Sequence, residues 1–261
     1  MKKHQKSNRT VNVLIKRFLL TRYEKGAIMQ RRILKKVTLW KRSAYLFKII
    51  GVKRENVIMT QYERMVKGLI YNPADEEIMK EQIPYQDKLW EFNQLKPSQI
   101  KEKMEYMREV FAECGENCYI ELPFHANWGG HHVHFGNQVY ANSNLTLVDD
   151  GHIYVGDNVM FGPNVTIATA NHPIEPTLRA KGLQYNKDVY IGENTWIGAG
   201  VIIVPGVRIG KNTVIGGGSV VTKDIPDNVV AVGNPCKVLR EIDLHDRENY
   251  YKDERIDWEN L

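Results

Sequence analysis

His172 stands between Asn171 and Pro173 in a stretch without regular periodicity, and its type and setting offer the plainest chemistry in the chain. A neutral imidazole takes up a proton near physiological pH, so a histidine beside a hydroxyl can serve as its general base. Pro173 restrains the backbone next to it. Taken alone, a loop histidine is as readily a solvated one. A second group, His131, His132 and His134, with His125 and His152 nearby, has the composition of a zinc site, because zinc takes imidazole readily. Consecutive side chains of a strand point to opposite faces, which separates His131 from His132 if this stretch is extended. No metal is therefore expected.

These residues need a scaffold, and the strongest pattern in the chain lies just downstream of His172. Residues 191–225 read in sixes, each hexad opening on an aliphatic residue: Ile191, Ile197, Ile203, Ile209, Ile215 and Val221. Gly192, Gly198, Gly210 and Gly216 follow that residue, and Thr195, Val201, Val207, Thr213 and Ser219 fill the fifth slot. A period of six matches neither a helix nor a simple alternating strand. It matches a mainly β fold, the left-handed parallel β-helix of hexapeptide repeats, in which each hexad is one flat side and three complete a coil. Upstream the same phase returns at Phe135, Ala141 and Leu147, then, after two extra residues, at Val155, Phe161 and Ile167. Between Ile167 and Ile191 it lapses, which predicts a loop over 171–188 thrown out from the prism, a usual place for functional groups.

Residues 59–115 read as a helical cap over the open end of the β-helix. Thr60 to Glu63 forms a capping box, Pro73 ends the first helix, and Pro84 interrupts the stretch after it. Ser98 caps a last helix bearing Ile100, Met104, Met107 and Phe111 as one apolar stripe, which Gly115 stops. The β-helix is expected over 116–240, with an exit strand within 224–240 and a charged, aromatic tail over 241–261. Residues 1–58 hold 17 Lys/Arg against 2 Asp/Glu, while the rest of the chain is acidic. This basic extension reads as a disordered tail, an upstream start before Met59, or an arm for nucleic acid or a membrane surface. Cys114, Cys118 and Cys236 form no CxxC pair, which suits a reduced cytoplasmic setting, and no apolar run is long enough to cross a membrane.

YANSNLTLVDD at 140–150, NHP at 171–173, NTWIGAGVIIVPGV at 194–207, VTKDIP from 221 and GNPCKVLREI up to 242 together resemble the maltose and galactoside O-acetyltransferases. The resemblance runs from about Met59 to about Lys252. It implies direct acetyl transfer from acetyl-CoA to a sugar hydroxyl, the 6-hydroxyl of a galactoside, glucoside or maltose, in a homotrimer. By the same resemblance, His172 is the base and the backbone N–H of Ala199 receives the oxyanion. Asn72, Asn127, Asn142 and Asp150 bind the acceptor, while Trp196, Ala199, Gly217, Thr222, Lys223 and Arg240 approach the cofactor. Asn72 and Asn127 stand where the galactoside enzymes carry Asp and Ser, and near His131 the chain is one residue longer. An Asn hydrogen-bonds a hydroxyl but supplies no charge, so the preferred acceptor can differ from a galactoside. Other readings are an acetyltransferase for an antibiotic, an amine or a polysaccharide sugar, a zinc protein like the γ-type carbonic anhydrases, and a scaffold whose basic arm binds nucleic acid.

Overall fold

The computed structural model describes residues 59–261, so the basic extension lies outside the described residues. Three parallel sheets wind as the sides of a prism. The first face stacks Glu113–Cys114, Val133–Phe135, Ile153–Val155, Val189–Ile191 and Arg208–Ile209. The second stacks Tyr119–Ile120, Tyr140–Ala141, Met160–Phe161, Trp196–Ile197, Val214–Ile215 and Val229–Val232. The third stacks Phe124–Ala126, Leu145–Val148, Thr166–Ala168, Ile202–Ile203 and Val220–Val221.

The chain visits the faces in that order at every coil, so each hexad's aliphatic residue lands above its counterpart. Ile197, Ile203, Ile215 and Val221 are fully buried, as are Ala141 and Ile167. Burying each large aliphatic side chain contributes about 1.5–3 kcal/mol, and here they form one continuous column. The corners require left-handed backbone, which Asn tolerates better than other side chains. Asn144, Asn164, Asn194, Asn212 and Asn228 all have positive φ, and their amides run in ladders, Asn194 to Asn212 at 3.0 Å and Asn212 to Asn228 at 2.9 Å.

The segment 224–240 is not simply an exit strand. Val230 and Ala231 still pair in parallel with Val214 and Ile215, and Ile225 bridges Ile209, so the solenoid continues with one shortened side. Only Lys237–Glu241 turns back, antiparallel to Val229–Val232.

Among the described residues three helices precede the prism: α1 (Gln61–Val66), α2 (Glu76–Phe92) and α3 (Ile100–Val110). The Thr60 capping box is formed. Several expected helix signals act otherwise. Lys67 caps α1 and Gly68, at φ +61°, turns the chain before Pro73 is reached. α2 runs through Pro84, whose missing N–H falls on an exposed side of the helix. Gln99 rather than Ser98 is the N-cap of α3, and α3 stops at Phe111. Gly115 instead serves the first coil, because a Cβ there would lie 2.5 Å from Gly136 O. The buried stripe of α3 is Lys103, Tyr106, Met107 and Val110, while Ile100 is exposed: the helix is rotated so that Tyr106 stacks on Phe92 of α2 at 4.2 Å.

Candidate functional site

After the third face, the chain leaves the prism through a short hairpin. Ala170–Asn171 pairs antiparallel with Tyr185–Asn186, and α4 (Pro176–Arg179) occupies the tip. Arg179 Nη1 donates to the carbonyls of Pro173 and Ile174 at 3.2 and 2.7 Å, which folds the tip back beside His172. His172 is exposed, and its Nδ1 lies 2.8 Å from Leu183 O. A carbonyl only accepts, so Nδ1 carries the hydrogen and Nε2 of the neutral ring keeps its lone pair.

Below the hairpin, the turn from third to first face carries Asp149 and Asp150. Asp150 Oδ2 accepts from Asn127 Nδ2 at 2.8 Å and Oδ1 from Gln184 Nε2 at 3.2 Å. Its carbonyl accepts from Asn186 Nδ2 at 2.8 Å. Gln184 Nε2 also donates to the Tyr71 hydroxyl, which in turn donates to Asn186 Oδ1 at 3.3 Å. Burial pushes the Asp150 carboxyl up, and the amides of Asn127 and Gln184 pull it back. Asp149 is fully buried and accepts from Trp128 N and Gly130 N at 2.8 and 2.9 Å, yet burial lifts its carboxyl to about 7. Its carbonyl receives His132 Nδ1 at 2.7 Å, and burial lowers His132 to about 4, so that ring is neutral.

Ala199 sits on a different corner, between the second and third faces. At three corners between the first and second faces, the N–H two residues beyond the strand is capped by an Asn or Asp of the next coil: Glu116 N by Asn137 Oδ1 at 2.9 Å, Asn137 N by Asp157 Oδ1 at 2.7 Å and Lys211 N by Asp227 Oδ1 at 3.0 Å. The matching partner of Ala199 is Gly217, because Ile197 pairs with Ile215, and glycine offers no such oxygen. Among the described residues the Ala199 N–H donates to no backbone carbonyl. An open N–H at a close-packed corner is a suitable oxyanion donor.

The expected site residues therefore divide between the two ends of the third face. Asn127, Asp150, His172, Thr222 and Lys223 follow it, whereas Asn142, Ala199 and Gly217 precede it. Asn72 joins the first group, since its neighbour Tyr71 bridges Gln184 through backbone bonds of 2.9 and 3.0 Å. Its own Oδ1 accepts from Ala74 N at 3.1 Å. Asn142 Oδ1 accepts from Ser143 N at 2.8 Å and makes no hydrogen bond to the Asp150 network. Trp196 is exposed on the second face, paired with Met160 and Val214. Arg240 holds Asp246 through both nitrogens at 2.5 and 2.7 Å, which keeps that carboxyl well below its usual range. A groove of about 1030 Å³ runs along the first face past Tyr154, Tyr190 and Arg208, away from both groups. That separation follows if the site is incomplete within one chain.

The histidine cluster is arranged differently from the expectation. His131 and His132 lie in a turn, not a strand, with rings 5.1 Å apart. Even so, among the described residues no three His, Cys, Asp or Glu side chains converge to hold a metal ion. Tyr71, Gln184, Asn186 and Asp149 were not singled out by sequence. The one available signal was Gln184 and Asn186 at alternate positions, which places both on one side of a short extended segment.

Two family models match the chain: a maltose acetyltransferase hexapeptide capping motif at residues 64–115 and a bacterial transferase hexapeptide of six repeats at 188–223. A galactoside O-acetyltransferase of Lactococcus lactis is 56% identical over 76% of this chain and 96% of its own length. A solved galactoside acetyltransferase in complex with coenzyme A superposes with TM-score 0.73 at 42% identity, over 76% of this chain and 99% of that one. A maltose O-acetyltransferase from Clostridium difficile gives TM-score 0.69 at 43% identity, over 71% and 98%. From its corner glycines to its capping helices, the chain belongs to the maltose and galactoside O-acetyltransferase family of hexapeptide-repeat enzymes.

Proposed function

We propose that the protein moves the acetyl group of acetyl-CoA onto a sugar hydroxyl, the 6-hydroxyl of a galactoside, glucoside or maltose, by direct transfer. The observation that carries the roles is the Nδ1 hydrogen bond from His172 to Leu183 O, which leaves Nε2 ready to take a proton. His172 removes the hydroxyl proton as the oxygen attacks the thioester carbon. The oxyanion forms against the open Ala199 N–H, and its collapse expels CoA as thiolate, which recovers the proton from the imidazolium.

Asp150, Asn127, Asn142 and Asn72 bind the acceptor hydroxyls. CoA lies between two copies of the chain, with Trp196 beside the thioester, Gly217 leaving room for the pantetheine arm, and Thr222, Lys223 and Arg240 toward the phosphates. Arg240 must share or release Asp246 to do so. Because His172 and Ala199 stand at opposite ends of the third face, a cyclic homotrimer with that face toward its axis brings one copy's His172 to the next copy's Ala199. The free thiols of Cys114, Cys118 and Cys236 favour a cytoplasmic setting, and no helix of the described residues is long and apolar enough to cross a membrane.

The test is CoA thiol release from acetyl-CoA against a panel of galactosides, glucosides, maltose and amino-alcohols. Release should depend on a sugar and fall by roughly 10²–10⁴ in His172→Ala, the size of a general-base contribution. An amine acceptor, or undiminished turnover in His172→Ala, would refute the assignment.

A further inference from the structure

Gln184 takes no part in the proposed transfer, yet the groups that do take part converge on it. Its backbone is locked to Tyr71 by two hydrogen bonds, 2.9 and 3.0 Å, so its position does not depend on its side chain. The carbonyl immediately before it, on Leu183, holds His172 Nδ1. The residue is 8% exposed, and its side chain spends both amide hydrogens, one on Asp150 Oδ1 and one on the Tyr71 hydroxyl. The Tyr71 hydroxyl passes the chain on to Asn186, whose own amide returns to the Asp150 carbonyl. This closed ring leaves the Gln184 amide a single orientation, because a carboxylate only accepts.

We infer that Gln184 is a positioning residue for the acceptor: its amide fixes the plane of the Asp150 carboxylate, in register with His172, so that Asp150 presents its remaining accepting capacity to the sugar in one fixed direction. A carboxylate has about four lone-pair directions. Asn127 occupies one on Oδ2 and Gln184 one on Oδ1, and the buried Trp128 indole is a further donor beside the same carboxyl, so only part of its accepting capacity is left for the sugar. Acceptance along a fixed direction discriminates between hydroxyls by their position on the sugar. An apolar residue at 184 would keep the Tyr71 backbone bridge and the Leu183 carbonyl, but would let the carboxylate rotate. The inference rests on the reading of Asp150 as an acceptor ligand and of His172 as the base.

The experiment compares wild type, Gln184→Met, Asp150→Ala and the double variant, measuring KM for the sugar, KM for acetyl-CoA, kcat and thermal midpoint. Losing one charge-assisted hydrogen bond predicts about a tenfold rise in sugar KM for Gln184→Met, with acetyl-CoA KM within about twofold of wild type. In the Asp150→Ala background the Gln184 substitution should add nothing, since it acts through that carboxylate. A merely structural role would lower the midpoint and disturb both KM values together. If Gln184→Met does not fold, Tyr71→Phe carries the test, with a rise in sugar KM of about threefold from a loosened amide. A normal sugar KM in Gln184→Met, or in Tyr71→Phe when that variant is the one that folds, would overturn the inference, as would additive effects in the double variant. A normal sugar KM in Asp150→Ala would instead remove Asp150 from the acceptor site, and the inference would fall with that reading.

Discussion

Asp149 is the residue whose surroundings make the sharpest physical demand. Both carboxylate oxygens accept backbone N–H groups, from Trp128 and Gly130, and these hold the turn that carries Asn127 and precedes the histidine cluster. An Asn there supplies one acceptor and turns its own N–H groups on the second donor, so Asp149→Asn should cost about 1–3 kcal/mol. The pH dependence has a definite sign. The folded carboxyl lies at about 7 against an ordinary value of 3.8, so its contribution is present at low pH and is lost as pH rises across that interval. The gap in thermal midpoint between wild type and Asp149→Asn should therefore narrow from about pH 4 to about pH 7. A gap that widens with pH would contradict the buried assignment. At this scale the place of His172 in a loop outside the prism was legible from the lapse in periodicity, whereas its role as base came only with the family resemblance and stays a proposal. Gln184 was not, because a glutamine in an irregular stretch is ordinary until the fold sets it beside Asp150 and Tyr71.

At the scale of elements, the hexads were legible because a six-residue period has few physical solutions, and the same buried column recurs at Phe161, Ile197 and Ile215. Helix ends were less so. Pro73, Pro84, Ser98 and Gly115 are general stop or start signals, but Gly68 ends α1 earlier, packing carries α2 past Pro84, and Gly115 belongs to the stacking of coils. The corner rule has a consequence for Gly217. An Asp at the equivalent position of the first-face corner caps the preceding coil's N–H, as Asp227 caps Lys211 N at 3.0 Å. Gly217→Asp should cap the Ala199 N–H in the same way and lower kcat at saturating acetyl-CoA about 10²–10³-fold, as losing an oxyanion donor does, while its side chain also crowds the pantetheine arm and raises the acetyl-CoA KM. Normal turnover in that variant would exclude the Ala199 N–H as the oxyanion donor.

For the whole molecule, the proposed site divides between two corners, and transfer as proposed requires copies to meet so that the corners adjoin. One chain holds His172, Asp150 and Lys223 after the third face and Ala199 with Gly217 before it, and no fold of a single prism brings these corners together. Sequence could name the residues on both sides. It could not place them on separate corners, because that depends on which face each hexad occupies. The most direct test is complementation between two inactive variants. His172→Ala and Gly217→Asp chains carrying different tags are co-expressed, and mixed trimers are isolated by both tags in turn. In a cyclic trimer containing both kinds of chain, one of the three interfaces pairs an intact His172 with an intact Ala199, so the mixed species should recover about one third of wild-type turnover. Mixed trimers as inactive as either parent would show that the base and the oxyanion donor do not come from neighbouring copies.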